Sequence, residues 1–171
     1  MNAATRDPAR TWHDLQARLA GSFTARTHGL LELEISLLGP GGEFGQVRPH
    51  GASDAEVTVG PLKAIIEHTG SASYRMTANG ETSLVAEPTH RSADALEIRM
   101  DRRAYEASAS FLRNQAEVRS REGKEIARLE GNLTGRRYEV AFDPEAAGSL
   151  PVAILLLHHV ATNRRRAFRV G

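Results

Sequence analysis

Cysteine is absent from the 171 residues, so the chain can build no disulfide, no reactive thiol and no thiolate metal site. Lysine is nearly absent: Lys63 and Lys124 stand beside 20 arginines among the 22 basic residues. Aromatic residues make up 5% of the chain and are not interleaved with the arginines, which argues against a base-stacking nucleic-acid surface. Neither sign of charge dominates, since 22 basic side chains face 21 acidic ones. No apolar run approaches the roughly 20 residues needed to span a bilayer, and the first residues lack the apolar core of a secretory signal. A single soluble, cytoplasmic domain with a real core is the expectation.

The longest apolar run is Leu150-Pro151-Val152-Ala153-Ile154-Leu155-Leu156-Leu157, followed by His158-His159-Val160-Ala161-Thr162. Ser149 reads as an N-cap, and Pro151 sits near the first turn, where its missing N–H costs little. Before His158 the wheel carries no polar stripe, and a helix apolar all round must be enclosed. The run is too short for lipid, so the upstream chain should enclose it. A central helix over 149–163 and a basic tail over 164–171 are expected.

Upstream, Asp7-Pro8 reads as a loose lead-in. Trp12, Leu15 and Leu19 then recur at helical spacing, with Thr11 and Asp14 spaced like a capping box, which predicts a short helix over about 11–20. Residues 1–21 therefore form a lead-in and helix, a lid on the domain. From 22 to 148 the punctuation is that of short strands. Leu31, Leu33, Ile35 and Leu37 alternate with Glu32, Glu34 and Ser36. Similar runs are 44–48, 56–59, 62–68, 73–78, 82–87, 96–100, 104–108, 126–130 and 138–142. Asn79-Gly80 predicts a tight hairpin pairing 74–78 with 83–87. The segment 110–120 is read as strand, though its apolar spacing also suits a helix.

Ten to twelve short strands followed by one apolar helix fit a mainly β, closed antiparallel barrel around that helix. About twelve helical residues rise ~18 Å, close to the ~20 Å of a six-residue strand. A two-sheet sandwich fills its own interior and leaves no room for the helix. The strand succession over 22–142 and the closing Leu150–Ala161 segment together resemble the superfamily of tubby C-terminal domains, phospholipid scramblases and plant LURP-one-related proteins. That resemblance implies a barrel of about twelve strands threaded by a C-terminal hydrophobic helix. Tubby-type domains bind phosphoinositide headgroups, so it also implies an anionic lipid partner. No lysine–arginine motif of those domains can be placed here residue by residue, and their long N-terminal regions have no counterpart.

The residues that invite chemistry are mostly ordinary. His158 and His159 point about 100° apart on a helix and cannot grip one ion together; one imidazole at the barrel mouth and one in solvent is the expectation. His90 and the other histidines are scattered, and Ser83, Ser92, Ser108 and Ser110 sit in no nucleophile elbow. Glu32 and Glu34 read as surface charge, and Gly39-Pro40-Gly41-Gly42 as a turn. No enzyme activity, cofactor or metal is expected. The arginines are a better lead. Residues 1–90 carry 7 basic and 10 acidic side chains, and 91–171 carry 15 and 11. Within the second half, Arg102-Arg103, Arg136-Arg137 and Arg164-Arg165-Arg166 with Arg169 form three clusters. Guanidinium forks suit phosphate oxygens, so Arg102, Arg103, Arg136, Arg137, Arg164, Arg165 and Arg166 are the candidate ligands for an anionic headgroup. The competing expectation is a protein-interaction or scaffold barrel without a small ligand, a homo-oligomer formed through the Trp12 helix.

Overall fold

The computed structural model describes residues 7–29, 33–51, 53–70, 72–89 and 94–169, with side chains through Arg166. Leu31, Glu32, His90, Ser92 and the side chain of Arg169 lie outside the described residues. Helix α1 (Pro8–Leu19) leads into strands β1 (Ser22–His28), β2 (Glu34–Gly39), β3 (Gly42–His50), β4 (Asp54–Val59), β5 (Leu62–Gly70) and β6 (Ser73–Ala78). There follow β7 (Glu81–Pro88), β8 (Ala95–Met100), β9 (Arg103–Ser110), β10 (Gln115–Ser120), β11 (Glu125–Gly131), β12 (Arg137–Phe142) and helix α2 (Ser149–Arg169). Each strand pairs antiparallel with the next, and β1 pairs with β12, so the sheet closes into a barrel.

Alternation of side chains builds the wall. On β12, Tyr138, Val140 and Phe142 face inward while Arg137, Glu139 and Ala141 face out; β4 does the same with Ala55, Val57 and Val59. The predicted hairpin holds: Asn79 and Gly80 take positive φ angles of 51° and 80°, and Tyr74 pairs with Ala86 and Met76 with Leu84. The lumen is filled by α2, whose Leu150 and Val152–Leu157 are each at most 1% exposed. The helix lies nearest β9–β12. Inward alanines 107, 116 and 127 permit that approach, while Ile66, Met76, Leu84 and Ile98 fill the wider gap opposite.

Several local expectations are corrected. The lead-in Asp7-Pro8 is the true start of α1: the Asp7 carboxylate accepts from Ala9 N at 3.1 Å and proline occupies the first turn. Segment 110–120 is not one strand, because Phe111–Asn114 form a turn between β9 and β10. Strand β1 carries only Phe23 and Ala25 on its buried side, too weak an alternation to stand out. Ser149 does not cap α2. Its hydroxyl donates to the Asp143 carbonyl at 2.6 Å, and the free Leu150 N–H is met at 3.2 Å by Gln16 Oε1 from α1. The Gln16 amide also donates to the carbonyls of Pro144 and Ala146, so α1 is stapled to the approach and start of α2. Finally, α2 continues through the arginines to Arg169 in place of the expected tail.

Candidate functional site

The meander puts every even-to-odd hairpin turn at the end covered by α1, and every odd-to-even connection at the end where α2 finishes. The arginine clusters are therefore divided. Arg102 and Arg103 belong to the β8–β9 turn at the α1 end. Arg136, Arg137 and Arg164–Arg166 gather at the opposite mouth, where the two groups do converge. Arg137 points out from the wall and pairs with Glu139 at 2.7 Å.

Arg164 has a different task from the one its neighbours suggest. It is 7% exposed, and its guanidinium donates to the carbonyls of Phe111 at 2.8 Å, Leu112 at 3.3 Å and Leu133 at 2.5 Å. One fork thus ties the β9–β10 turn and the β11–β12 connection to the end of α2. Asn114 adds a second tie, its amide donating to the Asn132 carbonyl at 2.9 Å. Gly131 makes room for it: a methyl group there would collide with the Asn114 side chain. The carboxamide of Asn132 in turn accepts from Arg136 N and Arg137 N, setting the turn that presents Arg136.

The two turns so held each carry a leucine in solvent, Leu112 at 83% and Leu133 at 92% exposure. Arg113 and Arg136 are exposed beside them, and Arg165 is half-buried nearby. Among the described residues these three arginines join no ion pair. A cleft of about 390 Å³ opens between the end of β1, the β11–β12 turn and the end of α2, bordered by Thr27, Leu133, Gly135, Arg136, Arg164 and Arg165. Its described lining includes no carboxylate. Leu112, Leu133 and Arg113 were not picked out from sequence. The signal that could have found Leu133 is an apolar residue inside the turn-like run Asn132-Leu133-Thr134-Gly135, where burial cannot be the reason for it.

Beneath the mouth both imidazoles are buried, contrary to the expected split. His158 Nε2 lies 2.7 Å from the Ser53 carbonyl and must carry the proton, which leaves Nδ1 bare and without a partner. His159 Nδ1 bonds the Tyr74 hydroxyl at 2.8 Å, with the Asn163 amide 3.2 Å away. Arg166 closes the network by donating to the Ser53 hydroxyl. Burial pushes the His158 imidazole below its ordinary value and raises the Tyr74 phenol. The groups facing His158 are Asp54, His68 and Arg166; Asp54 favours its charged form, and the two others oppose it. Among the described residues, no three His, Asp or Glu side chains converge as metal ligands would.

A pH dependence follows. With the folded value depressed and the unfolded value near 6.5, the unfolded chain binds the extra proton. Stability is full above about pH 6.5 and is lost as the pH falls below it, by up to ~1.4 kcal/mol per unit from this group. In His158→Gln the amide can keep the bond to Ser53 but does not titrate. Urea unfolding at several pH values is expected to show a shallower acid limb for that variant; equal limbs would refute the assignment.

No helix among the described residues is long and apolar enough to cross a membrane. No sequence family and no curated protein matches the chain. In three dimensions it is similar to an Arabidopsis thaliana protein of known X-ray structure, with a TM-score of 0.56 at 9% identity, over 82% of this chain and 91% of that one. At that identity the likeness concerns the barrel fold.

Proposed function

We propose that the chain is a non-enzymatic barrel module that docks on anionic phospholipid surfaces through the mouth where α2 ends. The observation that carries the reading is the pairing, at one mouth of the barrel, of exposed Leu112 and Leu133 with Arg113, Arg136 and Arg165, where Leu133, Arg136 and Arg165 border a cleft whose described lining is free of carboxylates. The resemblance to tubby-type and LURP-one-related barrels points the same way, as an argument from fold alone. Magnitudes explain why both residue types are needed. A basic side chain near an anionic leaflet contributes about 1 kcal/mol, and a buried leucine roughly 1.5–3 kcal/mol. Neither set anchors a protein by itself, but together they supply the two signals that stable peripheral binding takes. Arg164 holds the two turns in place and leaves the contact to its neighbours.

Vesicle sedimentation tests this. The protein is expected to pellet with phosphatidylserine-containing vesicles, to pellet far less with pure phosphatidylcholine, and to be released by salt. Leu112→Asp with Leu133→Asp, and separately Arg113→Gln with Arg136→Gln and Arg165→Gln, should each weaken binding about tenfold or more. Arg102→Gln with Arg103→Gln, at the other end, should leave it unchanged. Binding indifferent to anionic lipid and to salt sinks the proposal. The rival scaffold reading through the Trp12 helix has less to draw on, since Trp12, Leu15 and Leu19 are buried within their own chain.

A further inference from the structure

At the α1 end the helix does not lie flush on the barrel. Between it and the turns of the β6–β7 and β8–β9 hairpins is a cleft of about 610 Å³, within the range of small-molecule sites. Its apolar surface comes from Pro8, Ala9, Trp12, Met100 and Pro151. Its polar groups are of both signs. Arg102 and Arg103 supply guanidinium donors, and Glu81 and Asp101 supply carboxylates. None of these four joins an ion pair among the described residues. Trp12, 5% exposed, borders the cleft, and its indole N–H is buried with no hydrogen-bond partner.

We infer that this cleft binds a small amphipathic zwitterion, an apolar amino acid or dipeptide. The carboxylate would take the Arg102 and Arg103 forks, the ammonium would face Glu81 and Asp101, and the side chains would lie on Trp12, Met100 and Pro151. The balance of charge selects this class. A multiply charged anion would meet the carboxylates of Asp7, Glu81 and Asp101, and a simple cation would leave the guanidinium groups unpaired. The start of α2 is not the anion site, because Leu150 N is bonded to Gln16 Oε1 and Val152 N to the Gly148 carbonyl. The site lies at the opposite end from the lipid-facing mouth and does not depend on that reading.

Trp12 is the only tryptophan in the sequence, so its emission reports on the cleft directly. Titrating the full chain with leucyl-leucine should give a saturable emission change with a Kd below about 1 mM. N-acetyl-leucyl-leucine and leucyl-leucine amide should bind at least about tenfold more weakly, since each leaves one charged set unpaired. Arg102→Gln with Arg103→Gln, at exposed positions, should weaken leucyl-leucine about tenfold with an unchanged melting temperature. Leu112→Asp with Leu133→Asp should have no effect on it. The inference is overturned if no saturable change appears up to about 10 mM. It is equally overturned if the blocked dipeptides bind as well as the free one, an arm that needs no variant.

Discussion

Replacing Leu155 by aspartate is expected to leave no folded protein to purify. Leu155 is 0% exposed in the middle of α2, and the residues on both sides of it are equally enclosed. A carboxylate placed there has no cation and no water to turn to, so it must either stay charged at prohibitive cost or take a proton and still lack partners. Domains of this kind are stable by only about 5–15 kcal/mol, which a single uncompensated buried charge can exhaust. Leu155→Ala keeps the site apolar and should cost about 2–5 kcal/mol, giving a cooperative but earlier urea transition. The pair separates the two possible roles of the helix. If Leu155→Asp expresses in soluble form and melts as the parent chain does, α2 is not the core of the barrel.

That helix was the most legible part of the chain because its pattern admits few answers. Eight consecutive apolar residues exclude an exposed helix, and their length excludes a membrane span. The strands were legible wherever one face is buried and the other wet, as in Tyr138-Glu139-Val140-Ala141-Phe142. The closing strand was not. Ser22–His28 offers only Phe23 and Ala25 to the lumen and holds its place through backbone pairing with β12 and β2, which leaves no mark on side-chain choice. Helix starts failed for a related reason. Gln16 caps α2 from 134 positions away, and no local pattern encodes a cap supplied by another element. The arginines were legible as clusters, but their division between the two barrel ends depends on the parity of the strands. An extra or missing strand would have moved Arg102 and Arg103 to the other mouth. His158 and His159 were misjudged because the helix was expected to end sooner; with α2 running to Arg169, both rings still lie within the wall.

Removing the Arg164 fork is expected to loosen the mouth without unfolding the barrel. Its three carbonyl partners sit on turns 111–114 and 131–136, and hydrogen bonds from a charged donor are worth about 1.5–3 kcal/mol each where water cannot replace them. These turns border solvent, so water will recover part of that, and Arg164→Met should lose about 3 kcal/mol in all. Hydrogen exchange should quicken at 111–114 and 132–136 and stay unchanged in β4–β6, which the fork does not reach. Arg164→Lys should recover little, since a single ammonium cannot span two turns as a planar fork does. The same variant bears on docking. If Leu112 and Leu133 act as a pair, freeing their turns costs ordering entropy on the membrane, and vesicle binding should weaken severalfold although the Arg164 guanidinium is engaged with backbone carbonyls. An Arg164→Met chain with parental stability and parental exchange in both turns would show that the guanidinium contacts are incidental, and the leucine turns would then have to be held by Asn114 alone.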